Sequence, residues 1–248
     1  MKLLALTTST PWHGAALFVD GQPVAHTLQH AGRGEPRQLT ALVWQLLADA
    51  GLQSSDLEAI ACDVGPGSFT GLRQGIATAR ALAWAHKIPT IAVGSLEAMA
   101  AQAREQGWSG PLCVALPARS GLSFVGWSPR PGALHERLLP DDEAEAFWRT
   151  CATAARAAAA PVAVVGSPFT GGSPGRGAME RVWNAGGIRD LEDLPHPLAQ
   201  RVGAIALARS SDAFRTALEL IPSYLSASEA EVAAGHLVAD LPMPSLPG

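Results

Sequence analysis

The sequence predicts an α/β protein with two lobes, each a mixed sheet flanked by helices. Three observations carry this. The first hundred residues alternate as β-β-β-α-β-α-β-α, a hairpin signal fixes the opening strands as antiparallel, and later strands are separated by helices long enough for parallel crossovers. The 248 residues are 48% hydrophobic and 16% charged, ample for one large domain or two modest ones.

The elements follow in order. "KLLAL" reads as a strand and "AALFV" as a second, and Asp20-Gly21 is the pair that turns a hairpin, returning "PVAHTLQ" as a third. Pro36 suits a first helical turn, Leu39, Leu42, Val43, Leu46, Leu47 and Ala50 recur at helical spacing, and Gly51 suits a C-terminal cap. "EAIACDV" is a short apolar strand, residues 69–86 a second helix, and "IPTIAV" a further strand; Ser95 caps a third helix ending near Arg104. In the second half, "PLCVALPA" and "LSFVGWS" alternate like strands. "DDEAEAFWRTCATAARAAA" reads as a helix with an acidic start, "PVAVVG" as a buried strand, and a helix spans about Leu198 to Arg209 after the loop "GSPFTGGSPGRG". The expected lobes are 1–107, ribonuclease-H-like, and 108–228, smaller and divergent, followed by a proline-rich tail at 229–248. This order is that of an actin-like (ASKHA, ribonuclease-H-like) fold.

Charge excludes some partners. The net charge of −4 lacks the basic excess of a stand-alone nucleic-acid binder, so contact with RNA is expected to be indirect. "MKLLAL" is too short for a signal peptide and no stretch reaches membrane-spanning length, so a cytoplasmic location without membrane contact is expected. Cys62, Cys113 and Cys151 form no Cys-x-x-Cys pair and read as reduced thiols, the first two in the core.

The most informative stretch is "GPGSFTGLRQG", between a strand and a helix. It is no Walker loop: Gly65 and Gly71 stand too far apart, and Leu72-Arg73 replaces Lys-Ser/Thr. Against the Rossmann fingerprint it is one residue too long and lies after three strands rather than in a first βα turn. A tight turn capped by Ser68 or Thr70 explains Gly65 and Gly67. It leaves Gly71 and Gly75 unexplained, since each glycine within a helix costs about 1 kcal/mol against alanine. Close packing is expected there. On the helical wheel Leu72, Ile76, Ala79 and Ala83 share one side, while Ala77, Ala81 and Trp84 lie on another with Arg73 and Arg80 nearby. A second apolar side predicts a second covering surface, from the chain's own second lobe or from a partner. Trp44, off the core stripe of the preceding helix, repeats the pattern.

"GPGSFTGLRQG" resembles the signature of the TsaB (YeaZ) family, the actin-like, glycoprotease-related subunit of the bacterial machinery that makes threonylcarbamoyladenosine at position 37 of tRNA. "LLALTTSTPWHGAALF", "LPARSGLSFVGW" and "IPSYLS" are similar to further family segments in the same order. The resemblance implies a noncatalytic scaffold that supports the TsaD transferase together with the ATPase TsaE, forms a homodimer when alone, and meets tRNA only through the complex. It implies no cofactor or metal held by this chain alone, and leaves open ATP or ADP at the joint interface. The implied partner interface comprises Gly65, Gly67, Ser68, Phe69, Thr70, Gly71, Arg73, Gly75, Ala77, Ala81, Trp84 and Trp44, with the glycines admitting a partner's helices and the tryptophans as anchors. On that view a bulky side chain at Gly75 blocks docking. The family's Asp after the first strand is Thr7 here, the Asp of its "DAR" is Pro117, and its His-Ser/Thr pair falls at Glu35-Pro36. These departures leave no carboxylate pair in the expected cleft. They also leave open a divergent paralogue with another partner.

Rival chemistry is thin. An actin-like ATP-dependent small-molecule kinase or acyl transferase needs the acid that Thr7 replaces. A metal-dependent transferase could draw on His26 and His30, but on a strand their rings stand ~13 Å apart at ~3.3 Å per residue, too far for one ion. Ser68 lacks the G-x-S-x-G context of a nucleophile, and Arg119-Ser120 reads as a polar turn or an anion contact.

Overall fold

The computed structural model describes residues 1–30, 39–118 and 122–140, several residues between 143 and 153, the backbone of 162–165 and 188–190, and residues 198–223. A first sheet holds β1 (Lys2–Thr7), β2 (Trp12–Val19), β3 (Gln22–His30), β4 (Ala59–Asp63) and β5 (Thr90–Val93) in the order β3-β2-β1-β4-β5. β1, β2 and β3 pair antiparallel, and β1, β4 and β5 parallel. The second sheet holds β6 (Leu112–Pro117), β7 (Leu122–Ser128), β8 (His135–Pro140), β9 (Val162–Val165) and β10 (Ile188–Asp190) in the order β10-β9-β6-β7-β8. Its pairings repeat the first sheet's: two antiparallel, then two parallel. Two copies of one strand order make the actin-like fold, and the second half, less legible in sequence, proves to be the same design.

Local chemistry explains the opening. Asp20 and Gly21 both take positive φ, 49° and 82°, the backbone of a two-residue hairpin turn whose twist suits the flanking strands. The Met1 ammonium closes on the Asp20 carboxylate at 2.7 Å. β2 begins at Trp12 rather than Ala15 because His13 and Gly14 join the ladder between β1 and β3, with His13 buried despite its polarity.

Alternation along the central strands sorts side chains to two faces. Leu4, Leu6, Ala15 and Leu17 pack with α1 (Leu39–Asp49) and α2 (Phe69–His86), whose buried stripes are Leu39, Val43, Leu46 and Leu47, and Leu72, Ile76, Ala79 and Ala83. Leu3, Ala5, Ala16 and Phe18 face Ala98 of α3 (Ser95–Glu105) and α4 (Ala199–Ala208). The opposite side of α3, Leu96, Met99 and Ala103, packs on Leu112, Val114, Leu116 and Phe124 of the second sheet. α3 therefore belongs to both cores.

Residues 198–223, assigned in sequence to the second lobe, return to the first sheet. Val202 and Ala206 of α4 bury against it, Gly203 makes room for the Phe18 ring, Arg215 bridges to Thr90, and the Ser223 N–H donates to the Val64 carbonyl at 2.7 Å. The sequence placed a helix here but did not show which sheet receives it. Cys62, Cys113 and Cys151 are buried free thiols. Residues 143, 146, 147, 149–151 and 153 are helical; the remainder of that predicted helix lies outside the described residues, as do Glu35-Pro36, Arg119-Ser120, the loop at 166–177 and the tail at 229–248. Among the described residues no helix is long and apolar enough to cross a membrane.

Candidate functional site

The glycine-rich stretch joins β4 to α2 and folds onto its own chain. Ser68 is the N-cap of α2, its hydroxyl accepting from the Gly71 N–H at 3.2 Å, and its own N–H donates to the Ser9 carbonyl at 2.6 Å. A Cβ at Gly71 would overlap the Thr8 carbonyl oxygen, one at Gly75 the Thr8 hydroxyl, and one at Gly67 the Ser9 backbone. The close packing expected at Gly71 and Gly75 is real, but the occupant is the turn after β1. The buried Gly65, Gly71 and Gly75, expected at a partner interface, lie against the chain's own atoms: the Thr8 carbonyl at Gly71, the Thr8 side chain at Gly75, and Leu72 and the Ser223 carbonyl at Gly65. A bulky residue at Gly75 would therefore test folding rather than docking.

Beneath this loop lies a polar knot that the sequence did not disclose. Asp63, fully buried at the end of β4, accepts from the Thr7 hydroxyl at 2.8 Å, the Ser95 hydroxyl at 2.5 Å and the Gly65 N–H at 3.0 Å. Burial raises its pKa above the usual carboxylate value, while the hydrogen bonds from the Ser95 hydroxyl, the Gly65 N–H and the Thr7 hydroxyl oppose that shift. Thr7, which departs from the family's acid, thus has a structural task. Ser95 was expected to cap α3; its hydroxyl is taken by Asp63, and the N-cap is Gly94, whose N–H donates to Glu97 at 3.2 Å. Asp63, Glu97 and Glu136 make this end of the sheet richer in carboxyls than the sequence suggested. Asp63 is sealed from solvent, and among the described residues no group of three acids, histidines or cysteines can hold a metal ion.

The outward side of α2 is different. Phe69, Thr70, Arg73, Ala77, Ala81 and Trp84 are all exposed, with Trp84 at 68% and Phe69 at 36%. The Arg73 guanidinium lies over the Phe69 ring, 3.9 Å from its centroid, a cation–π contact that holds both in place. On α1, which lies on the same face of the sheet, Trp44 is 47% exposed. A hollow of about 630 Å³ continues from Trp84 past Lys87, Ile88, Pro89 and Phe214. Among the described residues, the second apolar side of α2 is thus uncovered. His26 and His30 both lie on β3, as the sequence implied, and the His30 ring stacks edge-on with Trp12. Pro117 is exposed at the end of β6.

Comparison with known proteins bears on this architecture. The TsaD family model, described as tRNA N6-adenosine threonylcarbamoyltransferase, matches residues 29–132. A crystal structure titled as an uncharacterized protein with similarity to peptidase YeaZ from Pseudomonas aeruginosa is 30% identical and superposes with a TM-score of 0.71, over 90% of this chain and 99% of that one. The chain belongs to the TsaB (YeaZ) family. YeaZ from Pseudomonas aeruginosa superposes with a TM-score of 0.69 at 27% identity, over the same shares of the two chains. Two curated relatives are named tRNA threonylcarbamoyladenosine biosynthesis protein TsaB: that of Bacillus subtilis is 33% identical over 57% of this chain and 61% of its own length, and that of Escherichia coli 35% over 49% and 52%. The match spans only about half to three-fifths of those two TsaB proteins. The loop, α2 and its exposed face all fall inside the segment shared with the TsaD model.

Proposed function

We propose that the chain is a noncatalytic subunit of the machinery that installs threonylcarbamoyladenosine at position 37 of tRNA, in the cytoplasm, and that it supports a TsaD-type transferase together with a TsaE-type ATPase. The observation that carries this reading is the uncovered aromatic face of α1 and α2: Phe69 with Arg73, Ala77, Ala81, Trp84 and Trp44. Exposed tryptophans flanked by small side chains and an arginine have the composition of interface hot spots, where large rigid rings bury much area at little entropic cost. The names of the TsaB relatives supply the pathway, and the TsaD match over residues 29–132 fits a partner built on a related lobe. In the free protein the same face pairs two copies. tRNA is met through the complex, and ATP or ADP belongs to the joint interface rather than to this chain alone.

Binding to a TsaD-type transferase, by pull-down and by titration calorimetry, tests the face. Trp84→Ala and Ala77→Arg are expected to weaken binding by roughly 30-fold or more, the ~2 kcal/mol of a hot spot. Each should leave the melting temperature nearly unchanged, because both positions are exposed. Full affinity in both variants would sink the proposal.

A further inference from the structure

Away from that face, the seam where the second sheet meets the start of α3 carries a charge conflict. Glu136 on β8 pairs across the ladder with Gly126, and its Oε1 comes within 3.7 Å of where a Cβ on Gly94 would stand; Glu97 Oε2 approaches the same point at 3.7 Å. Two carboxyls from different sheets' helix and strand thus converge on one glycine. The positive groups nearby make their bonds to other partners, although the buried Nε of Arg104 and that of Arg201 have none. Arg209 donates to both oxygens of Glu97, at 2.8 and 2.7 Å, and to the Ala92 carbonyl. Arg201 pairs with Glu105. Arg104 bonds the carbonyls of Trp108, Gly110 and Ser128 and the Ser128 hydroxyl. From β4, Asp63 adds a further acid whose hydrogen bonds are already made. On β8 itself, His135 and Arg137 alternate onto the opposite face. The favourable N-terminal end of α3 is taken by Glu97, which accepts from the Gly94 N–H. Glu136, Glu97, Arg104 and Arg201 together line a cavity of about 740 Å³.

We infer that Glu136 is a proton-operated latch on this seam: protonated, it lets β8 rest against the start of α3, and ionised, it is driven from Glu97 and Asp63 so that the seam parts and the cavity opens. Burial, then the charges of Glu97 and Asp63, raise its pKa from the usual 4.5 to about 7. The sign follows from linkage. The closed seam binds the proton more tightly than the open one, so closure is fully favoured below the ordinary glutamate value of 4.5 and weakens as pH rises to about 7. Across that span the ratio of open to closed seam grows by ~tenfold per pH unit and then levels off.

Hydrogen-exchange mass spectrometry on the full chain tests this, with exchange rates divided by the intrinsic rate at each pH. In the wild type, the amides of β8 and of the first turn of α3 are expected to lose protection by up to ~tenfold per unit between pH ~5 and ~7 and to level off above it, while β1 and β4 do not follow. Glu136→Gln, which keeps the neutral shape, should hold the seam closed and flatten the profile. A flat profile in the wild type, or an unchanged slope in the variant, overturns the latch. Should the variant fail to fold, a carbon-13 carboxyl titration of the wild type decides the matter: a Glu136 midpoint near neutrality upholds the inference, and one in the ordinary carboxylate range ends it.

Discussion

A methyl group at Gly71 or Gly75 has nowhere to go. At Gly71 it meets the Thr8 carbonyl, which the β1–β2 turn fixes; at Gly75 it meets the Thr8 hydroxyl, a side-chain atom that can be removed. Alanine returns about 1 kcal/mol of helix propensity at each site, whereas overpacking a close contact costs about 1–3 kcal/mol, and a rigid carbonyl puts Gly71 at the upper end. Gly71→Ala is therefore expected to lower unfolding free energy by about 1–2 kcal/mol in urea titrations, with no rescue from Thr8→Ala. Gly75→Ala should also destabilise, and Thr8→Ala in the same chain should recover most of that loss; independent, additive effects would contradict the contact. The sequence showed that something must press on these glycines. It could not name the occupant, because a turn sixty residues away and a partner's helix demand the same absence of side chain. Asp63 and Thr7 were similarly hidden, since an acid at a strand end looks alike whether it faces solvent or three internal donors.

At the scale of elements, α2 was the most legible part of the chain. Its buried stripe of Leu72, Ile76, Ala79 and Ala83 and its uncovered side from Arg73 to Trp84 follow directly from a 3.6-residue period. α3 was less so. Its start is held by Glu97, which caps Gly94 and takes both bonds from Arg209, a residue 112 positions away that no local pattern links to it. Arg209→Ala is expected to cost about 1–2 kcal/mol, toward the low side for charge-assisted bonds because about a third of each side chain reaches solvent. Thermal melts of Arg209→Ala and Glu97→Gln, alone and combined, measure it. A combined loss equal to the sum of the single losses would show that the pair contributes nothing as a pair.

For the whole molecule, the strand order β3-β2-β1-β4-β5 was readable in the first half because hairpin and crossover signals were strong. Its repetition as β8-β7-β6-β9-β10 was not. The edge strand β8 and the short β10 carry little alternation. The larger surprise is the return of residues 198–223, which close the first sheet's second face with Ala199, Val202 and Ala206. A chain ending after Pro197 should expose Leu3, Ala5, Ala16 and Phe18 and lose cooperative unfolding, whatever the state of its second sheet. Calorimetry comparing that truncation with the full chain checks this, and an unchanged melting temperature would refute it.

The nesting of Thr8 between Gly71 and Gly75 also fixes where α2 stands along its own axis. Sliding the helix by one position would drive Leu72 or Ile76 into the same notch, so the turn works as an index pin that allows a single setting. The row of rings from Phe69 to Trp84 is consequently presented at one height and one rotation, and whatever meets it encounters a surface already held to gauge.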